Sequence, residues 1–403
     1  MKEVALNRYK APLQRISLVS ETYAPETNGV ATTLRQIAAG LRCDGTTVDL
    51  VVPRHPARPY GFDSNLYSVC GVQVPGYPDA RCGLVRPRLL EELWRRRRPD
   101  GVYIATEGPL GWAALRAAKR LRLPVVSGFH TRFDLYSAHY TAGWLTPLIE
   151  GALRYFHNST STTLVPDGVL ADRLRSQGYR RVETLGRGVD TQLFHPQRRS
   201  KSLRDGWGIG EDDPVMIHVG RLAAEKNLQL AVDAFRAIQS VQPRARFVLV
   251  GDGPLRPALQ RQHPDLIFAG IRSGDELASY YASADIFMLP SLSETFGNVT
   301  LEALASGLPV IAFDYAAASC YVEDGVNGQK AARDDPDAWI QIALGAALSP
   351  VDLRRSWQEA ARERVAALSW QQIARQFGRV IAVAVEEHKY GAKQGVLHAA
   401  SSS

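Results

Sequence analysis

The chain has 403 residues, of which 45% are hydrophobic and 22% are charged, and its formal net charge is +7. This length predicts two domains, and the composition is typical of a globular protein and excludes a disordered one. The positive charge favours anionic ligands, which include nucleotide phosphates, anionic lipid surfaces and nucleic acid.

The N-terminal segment, residues 1–15, contains charges but no apolar core of a secretory signal. No run reaches the roughly 18 to 20 apolar residues that would span a bilayer. The four cysteines show neither metal-binding nor redox spacing, which indicates reduced thiols. We therefore expect a cytoplasmic protein.

The first half of the chain predicts a strand at 16–20, a polar loop and a helix over 31–41. Further strands are predicted at 47–52, 101–105 and 123–129. The second half repeats this order, with a strand at 215–220, a loop at 221–227, a helix at 228–238, and strands at 246–251, 266–270, 286–290 and 308–313. Strands that alternate with helices predict parallel sheets covered on both faces. The fold class is therefore α/β, with two doubly wound domains.

The domain boundary is expected near residue 195, because a polar, basic and glycine-rich segment follows it. The N-terminal domain would span 1–195 and the C-terminal domain 196–367. A last helix is predicted over 368–389, and residues 390–403 are predicted to be a disordered tail. Ligands of open parallel sheets bind beyond the carboxyl ends of the strands, so two such domains facing each other would form a deep cleft.

Two motifs of the second half point to an anionic ligand. In "GRLAAEKN", Gly220 ends a strand, and Arg221 and Lys226 follow in a loop where two cations suit a diphosphate. The alternative is a solvated basic loop. In "GDGP", residues 251–254, two glycines predict a sharp turn.

The stretch "SETFGNVTLEALASG" combines a helix N-terminus with two carboxylates. The backbone N–H groups near Gly297, Asn298 and Val299 are expected to face phosphate oxygens. Glu294 and Glu302 would repel phosphate, so they should accept hydrogen bonds from hydroxyl groups on either side of it, one from a ribose and one from a sugar. The predicted ligand is a sugar joined through a diphosphate to a nucleoside.

Two residues of the first half are further candidates. Gly29, in "NGVATTL", lies where a strand leads into a helix and would let the backbone approach a ligand. His130, in "SGFHTRFDLY", follows a strand directly and is a candidate for the same ligand site. The alternative for His130 is a histidine satisfied within the fold.

Taken in chain order, these motifs resemble the retaining glycosyltransferases of family 4, over nearly all of residues 15–385. The resemblance implies the GT-B fold, in which two Rossmann-like domains face a deep cleft and the C-terminal helix crosses back to the N-terminal, acceptor-binding domain. It also implies that the C-terminal domain holds a nucleotide sugar. One departure is "NGV", where many members have "GGV", but the backbone glycine Gly29 is kept.

The same resemblance assigns roles to the candidate residues. Arg221 and Lys226 would neutralise the diphosphate, with Gly29 beneath it, and His130 would lie near the donor sugar. Glu302 would hold the ribose, and Glu294 the sugar. The remaining donor-binding positions are Gly220, the backbone of Phe296, Gly297, Asn298 and Val299, and Gly270 with Ile271 as contacts of the base.

The implied reaction moves a hexosyl group from UDP-glucose, UDP-galactose or GDP-mannose to an acceptor hydroxyl, with retention of configuration and without a covalent intermediate. No Asp-x-Asp lies at a strand end, so no metal or other cofactor is expected. The alternatives are a sugar-nucleotide epimerase of similar fold, transfer to a soluble acceptor, and a binding protein without catalysis. No nucleic-acid motif supports a nucleic-acid partner.

The segment "LEELWRRRRPD", residues 90–100, is the candidate for membrane contact. Trp94 and the four arginines Arg95, Arg96, Arg97 and Arg98 lie at the end of an amphipathic helix. They would dock on anionic lipid and make the protein peripheral on the inner face of a membrane, with a glycolipid such as a diacylglycerol-based lipid as acceptor. The alternative is a solvated basic face.

Overall fold

The computed structural model describes residues 13–26, 28–57, 65–74, 77–130, 146–294 and 296–400. Tertiary contacts divide the chain into two compact units. Unit 1 comprises Met1–Arg187 together with Trp370–Ser403, and unit 2 comprises Gly188–Ser369.

Unit 1 is built on an eight-stranded sheet in the order β4-β3-β2-β1-β5-β6-β7-β8. Its strands are β1 Arg15–Val19, β2 Thr47–Pro53, β3 Leu66–Val74, β4 Tyr77–Leu84, β5 Gly101–Ile104, β6 Val125–Gly128, β7 Thr162–Val165 and β8 Val182–Thr184. All neighbours pair in parallel except β3 and β4. The helices between them are α1 Gly29–Cys43, α2 Pro87–Arg97, α3 Pro109–Arg120, α4 Thr146–Asn158 and α5 Gly168–Ser176.

Unit 2 contains a six-stranded, wholly parallel sheet in the order β11-β10-β9-β12-β13-β14. Its strands are β9 Val215–Val219, β10 Arg246–Val250, β11 Ile267–Gly270, β12 Ile286–Leu289, β13 Val310–Phe313 and β14 Gly328–Ala331. Its helices are α6 Lys201–Gly206, α7 Leu228–Val241, α8 Arg256–Gln262, α9 Gly274–Ser283, α10 Asn298–Ala305, α11 Ala316–Tyr321, α12 Pro336–Leu348 and α13 Val351–Val365. The strands β9, β12 and β13 are buried at every residue, because helices cover both faces of a parallel sheet.

The last helix, α14 Trp370–Ala400, returns to unit 1 and packs against α1, β5 and β6. The contact with α1 is close, since a Cβ on Gly40 would lie 2.4 Å from the Cβ of Ala374. The helix continues through Ala400, where the sequence predicted a disordered tail from residue 390. Alanines and long unbranched side chains favour a helix there despite two glycines.

The units divide at Gly188 rather than near residue 195. Val189 and Phe194 are buried in the core of unit 2, and the backbone N–H of Val189 donates to Leu368 O of the same unit. The polar segment that suggested the boundary instead contains the whole of α6 and most of the loop that leads to β9.

Trp94 does not lie on the surface, so its prediction as a membrane contact is wrong. It is 2% exposed, and its Nε1–H donates to Ser17 Oγ at 3.1 Å. Leu90 and Trp94 are one helical turn apart in α2 and face the sheet, whereas Arg95, Arg96 and Arg98 are exposed. None of the helices in the described residues is long and apolar enough to cross a membrane.

Glycines allow the backbone segments that follow β9, β10 and β11 to pack closely against one another at the carboxyl edge of the unit 2 sheet. Gly220, Gly251 and Gly270 follow or end β9, β10 and β11, and all three have positive φ. Gly220 N donates to Val250 O, and Gly251 N donates to Gly270 O. A Cβ on Gly251 would lie 1.9 Å from the carbonyl oxygen of Gly220, which is backbone and cannot move aside.

We expect Gly251→Ala to destabilise unit 2 by several kcal/mol, because the new methyl group requires both a left-handed backbone and displacement of Gly220. Thermal unfolding measures this loss. The matched control is Gly206→Ala, because a Cβ there meets no atom within 4 Å. Equal unfolding midpoints for the two variants would contradict the conclusion that this close backbone packing requires glycine at position 251.

Candidate functional site

The loop after β9 carries two cations whose side chains have different environments. Arg221 is exposed, and its guanidinium makes no hydrogen bond or ion pair within the described part of the chain. Lys226 ends a short 3₁₀ turn, and its ammonium forms an ion pair with the carboxylate of Glu294. The side chains of Lys226 and Glu294 are only 16% and 12% exposed, so the pair is largely removed from solvent.

Helix α10 presents its N-terminus beside this ion pair. Gly297, at φ 88°, is the residue before the helix, and no side chain of the described residues caps the free N–H groups. A Cβ on Gly297 would lie 3.8 Å from the carboxyl carbon of Glu294, so this carboxylate lies over the helix N-terminus. The Lys226 ammonium, the Glu294 carboxylate and the partial positive charge of the α10 N-terminus therefore lie next to one another.

Glu302 lies one turn further along α10, in a drier environment. Its Oε2 accepts a hydrogen bond of 3.0 Å from the hydroxyl of Tyr281 in α9. Burial raises the pKa of the Glu302 carboxyl to about 7, and the hydrogen bond from Tyr281 opposes that change. Near neutral pH, both protonation states are populated.

The other predicted donor contacts lie in unit 2 with these residues. Gly270 ends β11 in a left-handed conformation, and Ile271 after it is 71% exposed, as a contact of a ligand should be. Phe296, by contrast, is 4% exposed and packs against Tyr321 in the core. A role for Phe296 in ligand contact is therefore restricted to its backbone. Val299 is half-buried and also packs against the core.

Unit 1 places Gly29 and His130 at the carboxyl ends of its own strands. Gly29 is the exposed first residue of α1, whose N-cap Asn28 accepts a hydrogen bond from Ala31 N at 2.9 Å. His130 is 4% exposed. Because the guanidinium of Arg187 can only donate, Nδ1 of His130 accepts at 2.8 Å, and Nε2–H donates to Tyr103 Oη at 2.6 Å.

Burial and the charge of Arg187 hold the pKa of His130 well below its usual value. The ring is therefore neutral, and both of its nitrogens are engaged within unit 1. This geometry favours an orienting role over proton transfer for His130.

A groove of about 610 Å³ opens in unit 1 between α2 and the hairpin of β3 and β4. Apolar and charged side chains share its lining, among them Leu84, Leu89, Leu93, Glu92, Arg96 and Arg97. Leu89 and Leu84 are 56% and 50% exposed. The guanidinium of Arg97 lies 5.0 Å above the ring of Tyr67. The groove therefore combines exposed apolar surface with two cations on one side.

Comparison with known proteins identifies the family. A family model described as Glycosyltransferase Family 4 matches residues 27–193, and one described as Glycosyl transferases group 1 matches residues 213–347. A GDP-mannose-dependent alpha-mannosyltransferase of Mycolicibacterium smegmatis is 32% identical over 362 residues, which cover 88% of this chain and 94% of that protein. The chain belongs to the family 4 glycosyltransferases.

Two further relatives and one solved structure are similar to this glycosyltransferase. A sulfoquinovosyl transferase of Arabidopsis thaliana is 37% identical over 232 residues, which are 56% of this chain and 44% of that protein. An alpha-monoglucosyldiacylglycerol synthase of Acholeplasma laidlawii is 29% identical, over 78% of this chain and 84% of that protein. The sucrose-phosphate synthase of Thermosynechococcus elongatus superposes with a TM-score of 0.76 at 20% identity, covering 91% of this chain and 98% of that one. This last similarity supports the fold alone.

Within each unit, the structure shows partners and neighbours of the predicted site residues that the sequence did not single out. Tyr281 holds Glu302, and Arg187 with Tyr103 holds His130. His218, in β9, donates from Nδ1 to Met288 O at 3.0 Å, and its buried Nε2 has no partner among the described residues. A Cβ on Gly220 would lie 3.4 Å from that Nε2. His218 lies just before the "GRLAAEKN" loop, and this position is the sequence feature that could have identified it.

We expect Glu302→Gln to raise the free energy of unfolding near pH 8 and to leave it unchanged near pH 5. The folded pKa of about 7 exceeds the ordinary 4.5, so the wild type loses stability as pH rises between these values. The full difference corresponds to roughly 3 kcal/mol, and we expect about half because solvent reaches part of the residue.

Urea denaturation at the two pH values measures this effect. Glu294→Gln is the control, because it removes an ion pair with Lys226 and should not stabilise the protein at either pH. If Glu302→Gln is destabilised equally at both pH values, the buried charge of Glu302 does not reduce the stability of the wild type and the prediction is wrong.

Proposed function

We propose that this glycosyltransferase moves a hexosyl group from a nucleoside diphosphate sugar to an acceptor hydroxyl, with retention of configuration and without a bound metal. The candidate donors are UDP-glucose, UDP-galactose and GDP-mannose. The observation that carries the proposal is the convergence in unit 2 of Lys226, Glu294 and the N-terminus of α10, with Glu302 one turn beyond. The names of the relatives, which include a GDP-mannose-dependent enzyme, support it.

The charge of the leaving group explains why cations are needed. When the bond between the anomeric carbon and the diphosphate breaks, negative charge accumulates on the phosphate oxygens. Lys226, Arg221 and the N–H groups of α10 would supply donors for that charge, and removal of one such donor typically costs about 3 kcal/mol. The acceptor oxygen bonds to the anomeric carbon on the face that the diphosphate leaves, and the acceptor proton passes to the departing phosphate.

The ion pair indicates how the donor would be accommodated. Lys226 and Glu294 are paired with each other. A bound donor would draw the ammonium of Lys226 to its diphosphate and give Glu294 the hydroxyl groups of its sugar. The diphosphate of the donor would therefore replace Glu294 as the partner of Lys226, and the sugar of the donor would replace Lys226 as the partner of Glu294.

A lipid acceptor at an anionic membrane surface is the second part of the proposal. Relatives are named for transfer to diacylglycerol and for sulfoquinovosyl transfer. Arg95, Arg96 and Arg98 are exposed at the end of α2, beside the groove with its exposed leucines. Cations next to apolar surface suit a peripheral contact with an anionic bilayer, where each cation contributes about 1 kcal/mol.

We expect the two glutamates to affect different ligands. Glu302→Gln should weaken binding of UDP or GDP by about tenfold or more, because a hydrogen bond to a charged group contributes roughly 1.5–3 kcal/mol. Glu294→Gln should spare the free nucleotide, since it also releases Lys226 for the diphosphate, but should weaken binding of the nucleotide sugar. Isothermal titration with UDP, GDP and their sugars measures both.

Equal losses for both ligands in both variants would contradict this division. Wild-type protein that binds none of these nucleotides would overturn the donor site itself.

We expect the protein to bind vesicles that contain anionic phospholipid, and to be released as salt rises. The Debye length falls from about 10 Å at 0.1 M to about 3 Å at 1 M. Replacement of Arg95, Arg96 and Arg98 by Gln should reduce cosedimentation and activity on a lipid acceptor, while binding of the nucleotide is unchanged. Arg97 is retained because it packs on Tyr67.

The matched control replaces Arg35, Arg116 and Arg180, which are exposed arginines elsewhere on unit 1. The two triple variants have the same net charge, so a specific surface predicts a larger loss for the α2 variant. Wild-type protein that stays in the supernatant at low salt would overturn the membrane proposal and favour a soluble acceptor.

A further inference from the structure

Glu302 has one side-chain donor within the described part of the chain, which is the hydroxyl of Tyr281 at 3.0 Å. The two residues lie on neighbouring helices, α9 and α10, 21 positions apart in the sequence. The side chain of Glu302 does not cap a turn or a helix of the described residues. The orientation of its carboxyl group therefore depends on this contact from α9.

Tyr281 is held rigidly enough to set that orientation. The side chain is 0% exposed. Its ring packs edge-on against Phe194, with centroids 5.6 Å apart, and against Phe287 at 5.8 Å. A phenylalanine could make the same ring contacts, so the hydroxyl group serves the carboxylate rather than the packing of the core.

We propose that Tyr281 is a positioning residue of the donor site, which orients the Glu302 carboxylate so that both ribose hydroxyls of the donor can donate to it. This inference rests on the proposed function, because it assumes that Glu302 binds the ribose. It extends that function to a residue that does not itself touch the donor.

The energetics of the carboxyl group give Tyr281 this importance. Burial favours the protonated carboxyl, and a protonated carboxyl has lost its charge and one acceptor position, so it accepts hydrogen bonds from the two hydroxyls of a ribose more weakly. The hydrogen bond from Tyr281 opposes protonation. Helices α11 and α13 also pack against α10, but among the described residues Tyr281 is the titratable group that acts on Glu302.

The test compares Tyr281→Phe with wild type by titration with UDP or GDP and with the corresponding 2′,3′-dideoxynucleoside diphosphate. We expect the affinity for the ribonucleotide to fall about tenfold near neutral pH, which is the loss of one hydrogen bond to a charged group. The loss should be larger near pH 6.5 and smaller near pH 8.5, because the pKa of Glu302 rises further without Tyr281. The dideoxynucleotide, which lacks both hydroxyls, should bind both proteins equally.

Tyr280→Phe is the matched control, because Tyr280 is a buried neighbour in the same helix whose hydroxyl has no hydrogen bond among the described residues. It should bind both nucleotides as wild type does. In steady-state kinetics, Tyr281→Phe should raise the KM for the donor and change kcat less than about twofold.

A double-mutant cycle keeps the proposal falsifiable if Tyr281→Phe is also less stable. In a Glu302→Gln background, Tyr281→Phe should cause no further loss of ribonucleotide affinity. Equal losses for the ribo- and dideoxynucleotide, additive losses in the cycle, or no loss at all would each overturn the positioning role. Wild-type protein that binds no nucleoside diphosphate would instead overturn the proposed function, and this inference with it.

Discussion

The contact between the turns that follow β9 and β10 is the constraint on which the donor site depends. Leu222 N donates to Asp252 O at 2.9 Å, and Leu255 N donates to Leu222 O at 2.9 Å, so the backbone of one turn is fixed by the other. Only glycine fits at Gly251, where the two turns touch. Arg221 and Lys226 are therefore placed by backbone contacts, and their side chains remain available to exchange partners when a ligand arrives.

The electrostatics of the site follow from that arrangement. The carboxylates are the costly groups, because each is withdrawn from water next to apolar side chains. Lys226 compensates Glu294 by direct pairing, and Tyr281 compensates Glu302 through a neutral hydrogen bond. Burial raises the pKa of the Glu302 carboxyl to about 7, and the hydrogen bond from Tyr281 offsets only part of that effect.

Much of the fold was predictable, and the failures have physical causes. The central strands are continuous apolar runs, which buried parallel sheets require, and these were predicted. Strands β3, β4, β7, β8 and β14 were not predicted, because each is short or contains polar residues and glycines. Within the site, Lys226 and Glu294 are 68 positions apart, and no sequence spacing pairs them. Tyr281 resembled any core aromatic residue. Trp94 lies on the buried face of α2 with Leu90, although it is adjacent in sequence to exposed arginines.

Two histidines illustrate why position at a strand end does not define a chemical role. His130 was singled out because it follows a strand, and His218 was not, yet both are buried and both have a pKa held below the usual range. In each ring the hydrogen bonds decide the tautomer: Arg187 makes Nδ1 of His130 an acceptor, and Met288 O makes Nδ1 of His218 a donor. Neither imidazole is charged near neutral pH. Burial raises the pKa of the Glu302 carboxyl to about 7, so the residue proposed to bind the ribose changes its charge near neutral pH.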